Sequence, residues 1–450
     1  MLQNRPSPSG FTRRDFLRTS TLAAGAFAVP AIVPARVRGP HPPSERIAFG
    51  IVGCGRQARG ADIPELLGLP GAQVVAVCDV DSKRAADAKA QVEKAYAEKT
   101  AAGTYAGCAV FRDFRELLAR SDVDAVAIGT PDHWHGLPAI AAVRAGKDVF
   151  LQKPLTRTIA EGRLLSDEVH RHGRVLQVGS QQRSDARFRR ACELVRNGRI
   201  GDLKTIRIGL PIDPSGEVEP AMPVPANLDY EFWLGPTPPA PYTEKRVHPQ
   251  SDYSRPGWLR IETYCAGMIT GWGSHHLDIA QWGHGTEYEG PVEVRGSAQF
   301  PSRGLWNVHG TFRVEYAFAD GVQMIVTDEQ ANPLGVTFQG SAGRVFVTRG
   351  AIDAEPKSLL DSAIGPDEIH LYESADHKEN LLDCIRTRAQ PVAPVEIAHR
   401  SNSLCLMGLA AMHLDRPLRW DARRERFLDD AEADAWIDPP LRAPWTLEKA

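Results

Sequence analysis

The chain has no cysteine pair at CxxC spacing and no cysteine–histidine pattern of the zinc type. Its seven cysteines, Cys54, Cys78, Cys108, Cys192, Cys265, Cys384 and Cys405, are scattered and odd in number. That argues against a disulfide framework and predicts reduced thiols buried in the core. Neither sign of charge is in surplus, with 53 Lys and Arg against 56 Asp and Glu and a formal net charge of −3. Nothing in that balance recruits nucleic acid or an anionic membrane, so the expected partner is a small, weakly charged molecule. After the N-terminal region no run reaches the roughly 20 apolar residues a membrane span needs, and no internal repeat is visible. What the chain does have is length and apolar content. Its 450 residues, 42% of them hydrophobic, can bury the cores of two domains.

Residues 12–18, Thr-Arg-Arg-Asp-Phe-Leu-Arg, lead into a weakly apolar Ala/Gly/Val run broken by Pro30 and Pro34, with small residues at Ala31 and Ala35. This is the layout of a twin-arginine export signal over residues 1–35, followed by a Pro-rich lead-in over 36–46. Export by that route follows folding in the cytoplasm and delivers the protein to the periplasm or beyond, with any cofactor already in place.

From residue 47 strand and helix patterns alternate. "IAFGIV", "AQVVAVCDVD", "DAVAIGTP", "KDVFLQKP" and "RVLQVGSQQ" read as buried strands, with helices between them. One helix should run from Ser82, whose hydroxyl is placed to cap it, to about Lys99. The alternation predicts right-handed βαβ units in a doubly wound parallel sheet over 47–170. Beyond residue 200 the pattern becomes β-branched alternation, with turns at Ala319-Asp320-Gly321 and Ser341-Ala342-Gly343. The 171–450 part should therefore be an α/β domain with an open, mainly antiparallel sheet. Late helices are expected from His377 and over about Ser401–His413, and the Pro-rich stretch 211–230 as a loop on the rim of a site.

The first strand stops at Gly53-x-Gly55-x-x-Ala58. The first glycine permits a tight turn, the second lets the backbone approach a pyrophosphate, and the small third residue lets helix and strand pack closely. Arg56 stands at the same helix start, whose amides and dipole suit phosphates. Asp79 ends the next strand, where a carboxylate can accept hydrogen bonds from ribose hydroxyls and repel a 2′-phosphate. These features predict NAD, with NADP open because Lys83 and Arg84 follow.

"GTPDHWHG" (129–136), "LQKP" (151–154), "VGSQQR", "AGMITGWGSHHLDIAQWGHG" and "RPLRWDARRERF" together resemble the Gfo/Idh/MocA oxidoreductases across nearly the whole mature chain. The resemblance implies a Rossmann domain followed by a substrate-binding α/β domain, a homodimer or homotetramer, and hydride transfer on a carbohydrate-like alcohol. It places Thr130, Pro131, His133, His135, Gln152 and Lys153 beside the nicotinamide. Oxidising an alcohol requires a group to take the hydroxyl proton. Lys153 suits this because an ammonium next to a cationic nicotinamide is destabilised. The family motif is usually Glu-Lys-Pro; here Gln152 replaces the acid and removes a charge that would hold the lysine protonated. His275 aligns with the family's catalytic histidine. Asp278 shares its helix face with Ile279 and Trp282 and could orient it. The family often has an aspartate four residues before that histidine, where this chain has Gly271, so either Lys153 or His275 could be the proton acceptor. Trp272 and His276 could fill the vacated space or face a sugar, and Arg183, Tyr264 and Arg260 are further candidate substrate contacts. The histidines at 133, 135, 275 and 276 fit no common metal spacing, and no metal is expected.

An exported protein meets no replenished NAD pool. Its nucleotide should therefore stay bound and be restored within each cycle. An oxidoreductase using a sugar and a second carbonyl substrate does this. So does an NAD-dependent glycoside hydrolase working through a transient 3-keto sugar, and a non-catalytic nucleotide- or sugar-binding protein is the third alternative.

Overall fold

The structure, a computed structural model, describes residues 45–216 and 218–450. The leader expected at 1–35, and the lead-in up to residue 44, lie outside the described residues. Six strands form the first sheet: β1 (Ile47–Val52), β2 (Ala72–Cys78), β3 (Ala109–Phe111), β4 (Ala125–Ile128), β5 (Asp148–Leu151) and β6 (Leu176–Val178). All their pairings are parallel and their order is β3-β2-β1-β4-β5-β6. β4 and β5 are buried at every position, as helices on both faces require. The chain order reverses at β1, which pairs with both β2 and β4, so a crevice opens beyond their carboxyl ends. The sheet continues past residue 170, and β3 was not anticipated: three residues are too few to show a period.

Helices α1 (Ile63–Gly68), α2 (Ser82–Ala95), α3 (Gly136–Arg144) and α4 (Ile159–His172) cover this sheet. The cap of α2 is Asp81, one residue earlier than expected. Its carboxylate accepts from the Lys83 and Arg84 amides, while the Ser82 hydroxyl donates instead to Asn227 O. α4 opens with a reciprocal capping box between Thr158 and Glu161 and closes on Gly173 at φ 57°.

The second sheet has nine strands: β7 (Leu203–Leu210), β8 (Glu293–Ala298), β9 (Phe312–Ala317), β10 (Gln323–Asp328), β11 (Gly335–Gly340), β12 (Arg344–Thr348), β13 (Ala351–Glu355), β14 (Leu418–Asp421) and β15 (Arg426–Phe427). Their order is β13-β12-β11-β7-β10-β9-β8-β14-β15, antiparallel except for β7 beside β10. Alternate residues such as Ile206, Ile208, Val314, Tyr316, Met324 and Val326 point to one side and form the core with helices α5 (Ala186–Arg196), α6 (Gly273–His284) and the C-terminal α8 (Val395–Leu414). α8 begins earlier than expected because its charged first turns are matched. Arg163 on α4 binds Glu396 at 2.8 Å, and Arg400 binds Glu396 at 2.9 Å. α7 (His377–Thr387) instead packs Leu381, Leu382 and Ile385 against the first sheet.

Residues 47–450 form one unit, and two buried ion pairs tie its layers together. Arg183, after β6, binds both Asp278 oxygens on α6 at 2.7 and 2.8 Å and Glu287 at 2.8 Å. Lys378 on α7 binds Asp62 at 2.8 Å and Glu65 at 2.9 Å, over the Phe150 ring. All seven cysteines are buried free thiols. Among the described residues no helix is long and apolar enough to cross a membrane.

Removing one partner of a buried ion pair leaves the other charge uncompensated. Arg183→Ala should therefore lower the unfolding free energy by about 3–5 kcal/mol in urea titrations. An unchanged midpoint would remove this pair from the framework of the second domain.

Candidate active site

The crevice beyond β1 and β4 is an open cleft lined by Gly53, Gly55, Arg56, Asp79, Thr130, Pro131, His135, Gln152 and Lys153, all of them sequence candidates. Gly53 has φ +87°, and a Cβ there would sit 2.7 Å from the Thr130 amide nitrogen, so no other residue fits that turn. Gly55 has nothing within 4 Å of where its Cβ would be. It leaves bare backbone facing open space at the helix start, the cradle a pyrophosphate requires. Ala58 lies beneath, buried.

Asp79 is fixed by two backbone amides, Cys54 N to Oδ2 at 2.7 Å and Asp81 N to Oδ1 at 2.8 Å. Burial pushes its pKa up, against those hydrogen bonds. Each oxygen keeps a lone pair for a ribose hydroxyl. The two cations that could have answered a 2′-phosphate point elsewhere. Lys83 Nζ donates to Gln250 O at 2.6 Å, and Arg84 donates to Pro249 O at 2.7 Å and Asp252 O at 3.2 Å. The donor set fits NAD.

Those carbonyls belong to a strap of the second domain, residues 227–259, that crosses the ribose end of the cleft. Asp229 N donates to Val80 O at 2.9 Å. Asn227 Nδ2 and His248 Nε2 reach the Asp81 carboxylate at 2.8 and 3.0 Å. Tyr253 donates to Asp87 at 2.8 Å, with the Arg59 and Arg84 guanidinium carbons each 4.4 Å from its ring centre. Phe232, Trp233, Ser254, Trp258 and Leu259 from this strap line the cleft. The rim expected from 211–230 is thus supplied mostly by the residues that follow it, in "VHPQSDYSRPGW". The aromatic, proline-rich composition of that stretch was the available signal.

Lys153 follows β5 and its Nζ donates to Gly271 O at 2.9 Å. Gly271 is the position where the resemblance implies an aspartate, and here its main-chain carbonyl holds the amine without a full negative charge. Burial pushes Lys153 below its ordinary pKa. Asp132 and Cys265 oppose that shift, while Arg349 and Arg255 add to it. Asp132, inside "GTPDHWHG" yet not singled out from the sequence, is buried with one carboxylate oxygen unpartnered. Gln152, in place of the acid, donates to Asp62 Oδ1 at 2.8 Å, so a carboxylate does stand nearby, but it is matched by Lys378.

His275 does not line the cleft. It is 5% exposed, and its Nδ1 has no hydrogen-bond partner. Burial lowers its pKa well below the ordinary value, and the charges of Lys153 and Arg349 add to that. His276 donates from Nδ1 to Gly209 O at 3.3 Å, and burial brings it down to about 4. Trp272, half-buried, lies against both imidazoles.

Arg183, Asp278, Tyr264, Arg260 and His133, all expected at the ligand, face protein instead. Arg183 and Asp278 bond each other, so Asp278 does not orient His275. Tyr264 is fully buried against His133 and Trp233. His133 donates from Nε2 to Trp233 O at 2.9 Å, and burial holds it at about 3. Arg260 lies over the Trp306 ring at 4.4 Å. His135 sits between Pro154 O and Thr130 O, at 2.6 and 3.1 Å. Among the described residues no three His, Cys, Asp or Glu side chains converge as a metal site.

Comparison with known proteins matches the sequence and the fold. The inositol 2-dehydrogenase 2 of Saccharopolyspora erythraea is 28% identical over 314 residues, 69% of this chain and 72% of that one. A glycosyl hydrolase family 109 protein of Shewanella sp. (strain ANA-3) is 32% identical over 167 residues, and the match spans only 36% of its length. The WlbA dehydrogenase of Bordetella pertussis, solved with NADH and UDP-GlcNAcA, shares the fold at a TM-score of 0.58 and 18% identity, over 84% of this chain and 99% of that one. The oxidoreductase family's NAD-binding Rossmann fold model matches residues 47–180, and its C-terminal alpha/beta domain model matches residues 215–447. The chain belongs to the Gfo/Idh/MocA oxidoreductase family, with an NAD-binding Rossmann domain and a C-terminal α/β domain.

Proposed function

We propose that the protein is an exported oxidoreductase acting on a sugar or sugar derivative, with NAD kept in the cleft and restored within each cycle. The observation that carries this reading is Lys153: a buried amine in the nucleotide cleft, held by a neutral carbonyl, with its pKa lowered by burial. Bound NAD supplies the hydride acceptor. Gly53, Gly55 and the helix start beyond them hold its phosphates, and Asp79 its ribose. Lys153 in its neutral form accepts the proton of the sugar hydroxyl, Gly271 O keeps the amine aimed, and Asp132 stabilises the ammonium that forms. His275, kept neutral by burial, is the companion group beside it. The strap supports retention, since its contacts with Asp81, Asp87 and Arg84 hold it across the ribose end of the cleft. The leader motif supports export, and the face of the nine-stranded sheet opposite its core, where Arg207, Arg295, Arg313 and Gln339 are exposed, supports a homodimer or homotetramer.

A second reading, glycoside hydrolysis through a transient ketone, is favoured by the relatives named as glycosyl hydrolase family 109 proteins. It uses the same first step and the same base.

Lys153→Ala should lower turnover about a hundred- to ten-thousand-fold while the protein keeps its nucleotide; undiminished turnover would sink the catalytic assignment. The rate of alcohol oxidation should rise with pH through a Lys153 pKa below the ordinary lysine value, because the deprotonated amine is the active form. Gly271→Asp adds a carboxylate beside the ammonium and favours the charged form, so it should move that limb to higher pH. A limb that stays in place would assign it to another group. His248→Ala combined with Tyr253→Ala should speed NAD loss on dialysis by about tenfold or more, the equivalent of ~1.4 kcal/mol of lost contact. Unchanged loss would show that the strap does not retain the nucleotide.

A further inference from the structure

We propose that the sugar taken by this site carries an anionic group, a carboxylate or a phosphate ester, and that Arg349 receives it. The inference rests on the reading of Lys153 as the base and adds a substrate class to it.

Arg349 lies in the turn between β12 and β13, and its guanidinium carbon sits 4.7 Å from the centre of the Trp272 ring. Trp272 in turn lies 6.0 Å from the His275 ring and 5.5 Å from that of His276. It directly follows Gly271, whose carbonyl holds Lys153 Nζ at 2.9 Å. The stack of Arg349 on Trp272 is therefore built onto the same short segment that positions the base. Stacking on an indole fixes the plane of a guanidinium and leaves its N–H donors free along the edges, the geometry that takes a planar carboxylate or a phosphate in a fork.

Among the described residues no carboxylate or carbonyl bonds Arg349; its contact is the indole. Asp185, the acid whose charge reaches it, is occupied by Arg187 at 2.6 Å. The other cation near Lys153 is treated differently, since Arg255 is matched by Asp213 at 3.0 Å. The positive charge of Arg349 reaches both Lys153 and His275 and lowers the pKa of each. A cation placed beside the segment that holds the base concentrates and orients an anion and disfavours a cation. Two buried imidazole nitrogens in the same cluster, His275 Nδ1 and His276 Nε2, also have no hydrogen-bond partner.

The test is calorimetric titration of the NAD-loaded protein with three probes: D-glucuronate, glucose 6-phosphate and glucose. At least one anionic sugar should bind about tenfold or more tightly than glucose. Glucuronate leading points to a sugar acid, and glucose 6-phosphate leading points to a phosphate ester. Arg349→Gln, a change at an exposed turn, should erase the difference between anionic and neutral sugars, and Arg349→Lys should keep only part of it, because the charge survives without the fork. Equal binding of all three probes, binding of none, or a preference that persists in Arg349→Gln overturns the proposal. Absorbance of reduced nicotinamide, recorded on the same samples, separates this inference from the redox reading. An Arg349-dependent preference without any reduction would leave anion recognition standing and count against the redox reading, whereas reduction by neutral sugars with no anion preference would do the reverse.

Discussion

Much of this molecule hangs on one carboxylate, Asp81. It caps α2 through the Lys83 and Arg84 amides and receives Asn227 and His248 from the second domain at 2.8 and 3.0 Å. Burial alone would raise its pKa, but the hydrogen bonds from His248 and Asn227 bring it down to about 2. A charge buried so deeply persists only when each of its lone pairs is occupied. Its neighbours are therefore committed to it, and the strap they carry is committed to the nucleotide cleft. Asp79, two residues earlier, is aligned for the ribose by the same turn, because the Asp81 amide is one of its two donors.

Among the described residues no carboxylate forms an ion pair with Lys153 that would pin its proton. The acid of the usual motif is replaced by Gln152, and Asp62, which Gln152 reaches, is matched by Lys378 from α7. The aspartate implied at 271 is absent, and a carbonyl stands in its place. What remains to face the amine is Asp132, itself buried and half-satisfied. A lysine so placed gives up its proton more readily than one in an ion pair, which is what a base must do between cycles.

The cofactor half was legible in the sequence because its signals are local. Gly53 and Gly55 announce a turn, Asp79 closes a buried strand, and Lys153 follows another, each within a few residues of the feature that explains it. The substrate half was less so, because its partners are distant in the chain. Nothing near Arg183 says that its carboxylates lie at 278 and 287, and nothing near Tyr264 says that His133 and Trp233 close over it. Asp278 shares a helix face with apolar residues, and the periodicity that drew attention to it could not say what lay across that face. Asp132 lies within "GTPDHWHG", where the histidines carry the more specific signal. The strap and Arg349 carry no motif. Composition alone marked the one, and the other becomes visible only when the β12–β13 turn is seen to reach Trp272.

The proposed chemistry outside the cytoplasm requires the nucleotide to be a resident part of the protein. The most direct test is to denature the mature protein, purified without added nucleotide, and to identify and count what is released by mass and absorbance. The account predicts close to one NAD per chain, oxidised and reduced forms together. A protein that emerges empty and takes up NAD only weakly when it is supplied would contradict it.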